Sequence, residues 1–105
     1  MERGEIRWFT FKQPDKRRPV LILTRNSALQ FLGETTVAPI TSTIRDIPTE
    51  VILNEMDGLK QMSAVNLDHI QTVSKQKIGR YIAKLSPAKM VQVRDALLFA
   101  YGFDD

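Results

Sequence analysis

An arginine at the start of a predicted buried strand is the first candidate for chemistry in this sequence. Arg18 is followed by Pro19 and by an unbroken apolar run at residues 20–23, a pattern typical of a strand buried on both faces. Proline at the first position of a strand removes no ladder hydrogen bond, and it favours an extended conformation for the residue before it. The Arg18 guanidinium is therefore expected at a fixed position, where it could bind a phosphate or pair with a nearby carboxylate.

Two neighbouring hydroxyl side chains form a second candidate group. Thr41 and Ser42 stand at the end of another predicted strand. A hydroxyl at that position can hold a phosphate oxygen, or it can satisfy a backbone group at the strand end. The residues alone favour the structural interpretation for both.

Asp68 and His69 form a third group, on a later predicted strand. Asp68 could contact a substrate or pair with an arginine, Arg18 included. His69 could turn inward as a hydrogen-bonded core residue or outward to contact a base. Lys16 and Arg17, directly before Arg18, could form a solvated rim or supply contacts that position a phosphate backbone.

Composition excludes several classes of chemistry. The chain has 105 residues, no cysteine and one histidine, so disulfide frameworks, thiolate zinc sites, cysteine nucleophiles and two-histidine ribonuclease mechanisms are absent. Its net charge of +3 is compatible with an anionic partner. The charged start and the lack of a long apolar run predict neither a signal peptide nor a membrane span, so we expect a cytoplasmic protein.

The elements that must position these groups are short strands followed by one helix. The predicted strands cover residues 4–11, 18–23, 35–43, 51–53, 63–73 and 79–85. Ser86 is expected to cap a helix that has Pro87 at its first position, ends at Gly102 and has an apolar face that includes Tyr101. Pro39 requires an edge position or a bulge in its strand. The expected fold is one α+β domain over residues 1–105, mainly β, a partly open barrel with a C-terminal helix.

Four short motifs, in this order and spacing, resemble the MazF/PemK toxin family of bacterial type II toxin–antitoxin systems. They are Arg-Gly-Glu-Ile at residues 3–6, Arg-Pro-Val-Leu-Ile at 18–22, Val-Ala-Pro-Ile-Thr-Ser at 37–42 and Asp-His-Ile-Gln-Thr-Val at 68–73. The resemblance implies an SH3-like barrel, a homodimer, and sequence-specific cleavage of single-stranded RNA that needs no metal or other cofactor. It also implies a small acidic cognate antitoxin that blocks the site, and no membrane partner.

The resemblance also assigns roles to individual residues. Arg18 matches the family's catalytic arginine and Thr41 its catalytic threonine. The substrate-binding positions that we carry over or place beside them are Lys16, Arg17, Ser42, Asp68, His69 and Gln71. Gln71 stands where an arginine is frequent, and the short loop at residues 12–17 lacks the family's usual Gly-Glu-Gln run. We expect these departures to affect which RNA sequence is cut.

The predicted chemistry uses the nucleophile that RNA itself carries. Attack by the 2′-hydroxyl would leave a 2′,3′-cyclic phosphate and a 5′-hydroxyl, with Arg18 stabilising the phosphorane and Thr41 holding a non-bridging oxygen. The general base is unassigned, with Asp68, His69 or a phosphate-bound group as candidates. Two alternative functions are a CcdB-like poison of DNA gyrase, faintly suggested by the aromatic-glycine-aromatic sequence at residues 101–103, and a non-catalytic RNA-binding barrel.

Overall fold

The computed structural model describes residues 1–11 and 16–103, with the side chain of Lys16 outside the described part. Residues 12–15 of the predicted loop 12–17 also lie outside it, whereas the loop prediction is wrong for residues 16 and 17, which belong to a strand. The strands are β1 Glu5–Phe11, β2 Lys16–Ile22, β3 Glu34–Thr41, β4 Glu50–Leu53, β5 Ser63–Asn66, β6 Gln71–Ser74 and β7 Ile78–Lys84. The α-helices are α1 Asn26–Leu29 and α2 Pro87–Ala100, and 3₁₀ turns cover Glu55–Asp57, Leu67–His69 and Lys75–Lys77.

The strands form one antiparallel sheet that does not close. Their order is β4-β5-β3-β2-β1-β7. Strand β6 pairs with the first half of β3 and β5 with its last residues, along the same edge. This architecture, with α2 following the last strand, confirms the expected mainly β, partly open barrel with a C-terminal helix.

Strand β2 is buried on both faces, as its apolar run predicts. Val20, Leu21 and Ile22 are all 0% exposed. Leu21 joins the core that packs under α2, whereas Val20 and Ile22 join a second core on the opposite face, where Phe9 lies. Because side chains alternate along a strand, Arg18 projects from the same face as Val20.

Pro39 lies where the ladder along one edge of β3 is interrupted, so the expected edge position or bulge takes the form of a gap in the pairing. Beside β3, the register runs through Val37↔Gln71 and resumes at Ile40↔Val65. The chain between these pairs leaves the ladder as the 3-residue turn Leu67–His69. The prediction of one strand over residues 63–73 is therefore wrong, since this stretch contains two strands separated by a turn.

The C-terminal helix begins and ends where its capping residues predict. Ser86 Oγ accepts a hydrogen bond from Lys89 N at 3.1 Å, and Gly102 adopts a left-handed φ of 75° just beyond the last turn. Val93 is buried against the sheet. Tyr101 is 46% exposed, so the apolar face extends less far than predicted. No helix in the described part of the chain is long and apolar enough to cross a bilayer.

A surface ion pair fastens the N-terminal residues to β7. Lys84 Nζ donates to Glu2 Oε1 at 2.5 Å, and this hydrogen bond is the main reason that the pKa of Glu2 is lowered and that of Lys84 raised. Both side chains are about half exposed, so we expect the pair to add little to stability.

Candidate active site

Strand register brings Arg18 and Thr41 to one place. Strands β2 and β3 are antiparallel and pair Val20 with Pro39. Arg18 lies two residues before Val20 on β2, and Thr41 lies two residues after Pro39 on β3, so the two residues are on the same side of this pair. Positions two residues apart share a face of the sheet, so both side chains project beside Pro39.

A cavity of about 250 Å³ lies at this end of the sheet. Its lining comes from β2, β3, β4, β5, the segment after β3 and the turn after β5. The lining residues are Arg18, Pro39, Thr41, Thr43, Arg45, Glu50, Asn66 and His69. The cavity thus combines two guanidinium groups with hydroxyl, carboxylate, amide and imidazole side chains.

Arg18 is half-buried, and it forms no ion pair with a carboxylate of the described residues. Within residues 1–11 and 16–103, no carboxylate oxygen lies within 4.0 Å of it. Asp68, one expected partner, instead accepts a hydrogen bond from Thr49 Oγ1 at 2.6 Å. The guanidinium is therefore not neutralised by any of these carboxylates and can contact an anion that enters the cavity.

The backbone N–H of Thr43 orients the Thr41 hydroxyl. Thr43 N donates to Thr41 Oγ1 at 3.1 Å. Since a hydroxyl can accept and donate at the same time, this bond leaves the hydroxyl proton of Thr41 available for an acceptor in the cavity. A phosphate oxygen placed between Thr41 and Arg18 would receive donors from both.

Glu50 supplies a carboxylate that the sequence analysis missed. The residue is 9% exposed, and its Oε1 accepts a hydrogen bond from Arg45 N at 3.0 Å. Its Oε2 is buried and has no partner among the described residues. A buried carboxylate oxygen without a partner lowers stability, so this group is better explained by a role in the cavity than by a role in folding.

The turn Leu67–His69 brings His69 to the cavity. His69 is exposed, so the expectation that it could turn into the core is wrong. Asn66 Oδ1 caps the turn by accepting from Asp68 N at 2.9 Å, and Asn66 Nδ2 lies 3.2 Å from His69 Nδ1. The turn opposite Pro39 therefore brings two polar side chains into the same cavity lining as Arg18 and Thr41.

Four of the other residues predicted from the sequence lie outside the cavity lining. The Arg17 guanidinium stacks over the Trp8 ring at 4.2 Å. Ser42 and Gln71 are exposed, and Asp68 is bonded to Thr49 as described. The side chain of Lys16 lies outside the described residues.

The chain matches a known protein family over nearly its whole length. The family model described as "PemK-like, MazF-like toxin of type II toxin-antitoxin system" matches residues 2–100. The chain belongs to this toxin family. The match confirms the resemblance drawn from the four sequence motifs.

Known relatives are similar to this toxin over most of their length. Endoribonuclease MazF3 of Mycobacterium tuberculosis is 41% identical over 92 residues, which cover 88% of this chain and 89% of that protein. The solved structure of Mycobacterium tuberculosis toxin MazF-mt6 superposes with a TM-score of 0.88 at 38% identity and covers 96% of this chain and 99% of its own. An endoribonuclease from Mycobacterial species, solved in complex with its cognate antitoxin, has a TM-score of 0.88 at 28% identity and covers 100% and 98%.

Five lining residues of the toxin escaped the sequence analysis as site residues: Pro39, Thr43, Arg45, Glu50 and Asn66. Glu50 and Asn66 are cross-strand partners in the β4–β5 pair, and this pairing brings both to the cavity. One usable sequence feature was Pro39, because the edge position or bulge that it requires implies that pairing along β3 is incomplete nearby.

The toxin offers no evident metal centre in the part of the chain that the structure describes. Across residues 1–11 and 16–103, no group of three or more His, Asp or Glu side chains is arranged to hold a metal ion. The candidate site combines arginine, hydroxyl, amide, imidazole and carboxylate side chains.

Proposed function

We propose that this toxin endoribonuclease cleaves single-stranded RNA in the cavity between β2 and β3, with Arg18 and Thr41 as its catalytic residues. The observation that carries the proposal is their convergence: the β2–β3 register leads a guanidinium and a free hydroxyl proton into one cavity. The endoribonuclease names of relatives at 41% and 36% identity favour this function over a gyrase poison or a non-catalytic RNA-binding barrel.

In the proposed reaction the 2′-oxygen attacks the adjacent phosphorus, and the bond from phosphorus to the 5′-oxygen breaks. The products are a 2′,3′-cyclic phosphate and a 5′-hydroxyl. Arg18 stabilises the negative charge of the phosphorane and of the leaving 5′-oxygen, which takes a proton from solvent water to become the 5′-hydroxyl, while Thr41 donates to a non-bridging oxygen. No metal is required, because the nucleophile belongs to the RNA and the charge is met by a guanidinium.

The 2′-hydroxyl proton needs an acceptor, and we place that role at Glu50. Glu50 is the one carboxylate among the described residues that line the cavity, and its Oε2 is unpaired. Because Oε2 is buried, this step requires the Glu50 side chain to become accessible when RNA binds.

The test is cleavage of a mixed-sequence single-stranded RNA by the purified toxin in the presence of a chelator. We expect fragments with 2′,3′-cyclic phosphate ends, and no cleavage when the nucleotide before the scissile bond is 2′-deoxy.

Thr41→Ala should lower kcat roughly 100-fold, the usual cost of removing one oxyanion donor, whereas Thr41→Ser keeps the hydroxyl and should retain most activity. Glu50→Gln, which can still accept from Arg45 N, should also slow cleavage. Fragments with 3′-hydroxyl ends, or full inhibition by chelator, would contradict the mechanism.

We also propose the family's partners for this chain. One solved relative is an endoribonuclease in complex with its cognate antitoxin, which supports a small acidic antitoxin that competes with RNA for the basic cavity. We expect a homodimer, which light scattering would report as a mass twice the 12.0 kDa of the chain, and a monomeric mass at micromolar concentration would contradict it. A substrate of single-stranded cellular RNA places the activity in the cytoplasm.

A further inference from the structure

The turn Leu67–His69 determines which nitrogen of His69 carries the proton. Asp68 N can only donate, so the atom of Asn66 that meets it at 2.9 Å must be the amide oxygen. The orientation of the Asn66 amide is therefore set by the cap of the turn. A flipped amide would lose the cap and place an NH₂ group against a backbone N–H.

With the amide fixed, Asn66 presents its NH₂ group to His69. Nδ2 lies 3.2 Å from His69 Nδ1, and Nδ2 has only hydrogens to offer. Nδ1 must then be the unprotonated, accepting nitrogen, and the proton of the neutral ring must be on Nε2. Protonation of Nδ1 would require breaking the contact with Asn66.

We propose that Asn66 holds His69 as the Nε2–H tautomer, so that His69 reads RNA as a neutral hydrogen-bond donor to an acceptor atom of a base. The RNA contact rests on the proposed function, whereas the tautomer does not. His69 lines the same cavity as the catalytic residues, so the base that it reads lies next to the scissile phosphate. In this arrangement His69 determines specificity and Asn66 is a positioning residue.

A base is favoured over a phosphate as the acceptor because of what else surrounds the cavity. Two guanidinium groups, those of Arg18 and Arg45, already line it and suit phosphate oxygens. A neutral N–H adds little charge stabilisation, but it distinguishes an acceptor on a base edge from a donor. The Nε2–H group therefore fits base recognition.

The first test measures the tautomer directly. The chain contains one histidine, so ¹⁵N-histidine labelling gives a single pair of ring nitrogens whose couplings to the ring protons identify the protonated one. In the neutral ring we expect the proton on Nε2. Asn66→Asp keeps the cap acceptor but offers Nδ1 a carboxylate, and it should move the proton to Nδ1. Asn54 caps the turn Glu55–Asp57 in the same way, so Asn54→Asp is the matched control and should leave the His69 tautomer unchanged.

The second test measures base preference with a randomised single-stranded RNA pool whose cleaved ends are sequenced. His69→Ala should relax the preference at one position near the cut and lower kcat/KM about tenfold for the preferred sequence, as for one lost hydrogen bond. His69→Gln, which retains an N–H donor, should restore part of the preference. A phosphorothioate at the adjacent phosphate should not change the effect of His69→Ala; if it does, His69 binds phosphate and the base assignment is wrong.

The outcomes separate this inference from the proposed function. An Nδ1–H tautomer in the unaltered toxin, or unchanged base preference in His69→Ala, would overturn the inference even if Arg18→Ala is inactive. Full activity of Arg18→Ala would overturn the proposed function and leave the tautomer result standing.

Discussion

Arg18→Ala is expected to abolish RNA cleavage, with kcat/KM falling by about 10³-fold or more, while the protein remains folded. The guanidinium is the strongest donor directed at the proposed phosphate site. Arginine does not lose its charge at neutral pH, so its loss removes transition-state stabilisation at every working pH. Because the described carboxylates form no ion pair with Arg18, its removal leaves none of them without a partner, and we expect little change in stability.

Two further variants make this result specific. Arg18→Lys keeps the charge but loses bidentate geometry, so it should retain only a small part of the activity. Arg94→Ala removes an arginine from the exposed side of α2, where Arg94 pairs with the neighbouring Asp95, and it should cleave RNA normally. Activity is measured with an end-labelled single-stranded RNA, and folding by circular dichroism and thermal unfolding. A folded Arg18→Ala variant with near-normal activity would remove Arg18 from the site.

Leu67→Ala is expected to lower the free energy of unfolding by about 2–5 kcal/mol, the usual cost of truncating a fully buried leucine. Leu67 is 0% exposed and belongs to the core under α2. Its backbone N–H also donates to Thr49 O at 3.0 Å, so the residue fixes the turn that carries His69. For a domain of this size the change corresponds to a melting temperature lower by roughly 10 °C or more.

The same exchange at an exposed leucine provides the control. Leu32 is 51% exposed, and Leu32→Ala should change the free energy of unfolding by less than about 0.5 kcal/mol. Urea denaturation of both variants checks the difference. Equal stabilities for the two variants would mean that Leu67 does not anchor the turn Leu67–His69 to the core.

Features that depend on neighbouring residues were predictable from the sequence. The apolar run after Pro19 is sufficient to predict a strand buried on both faces, because only a central strand excludes water from both sides. Ser86 and Gly102 locate the ends of α2, because capping satisfies backbone groups within one turn of the cap. Arg18 and Thr41 were identified from short motifs that resemble the family.

Contacts between residues that are far apart in the sequence were harder to predict. Glu50 and Asn66 look like ordinary polar residues until the β4–β5 register pairs them beside the cavity. The alternation of residues 63–73 continues through the turn, since Val65, Leu67 and Val73 have the spacing of one strand. A local pattern cannot show that the chain at Leu67–His69 leaves the ladder beside β3, where His69 is exposed.

The sequence by itself therefore determined the fold class and the toxin family, because each depends on local spacing or on a shared motif. For the same reason it indicated the position of Arg18 at the start of a buried strand and the candidate role of Thr41. Tertiary structure alone decided that Asp68 bonds to Thr49 rather than to Arg18, that Glu50 lines the cavity, and that the Asn66 amide lies beside His69 Nδ1. The physical reason is that these hydrogen-bond partners depend on strand register and on the turn that interrupts the ladder. Both bring together residues that no local sequence pattern relates.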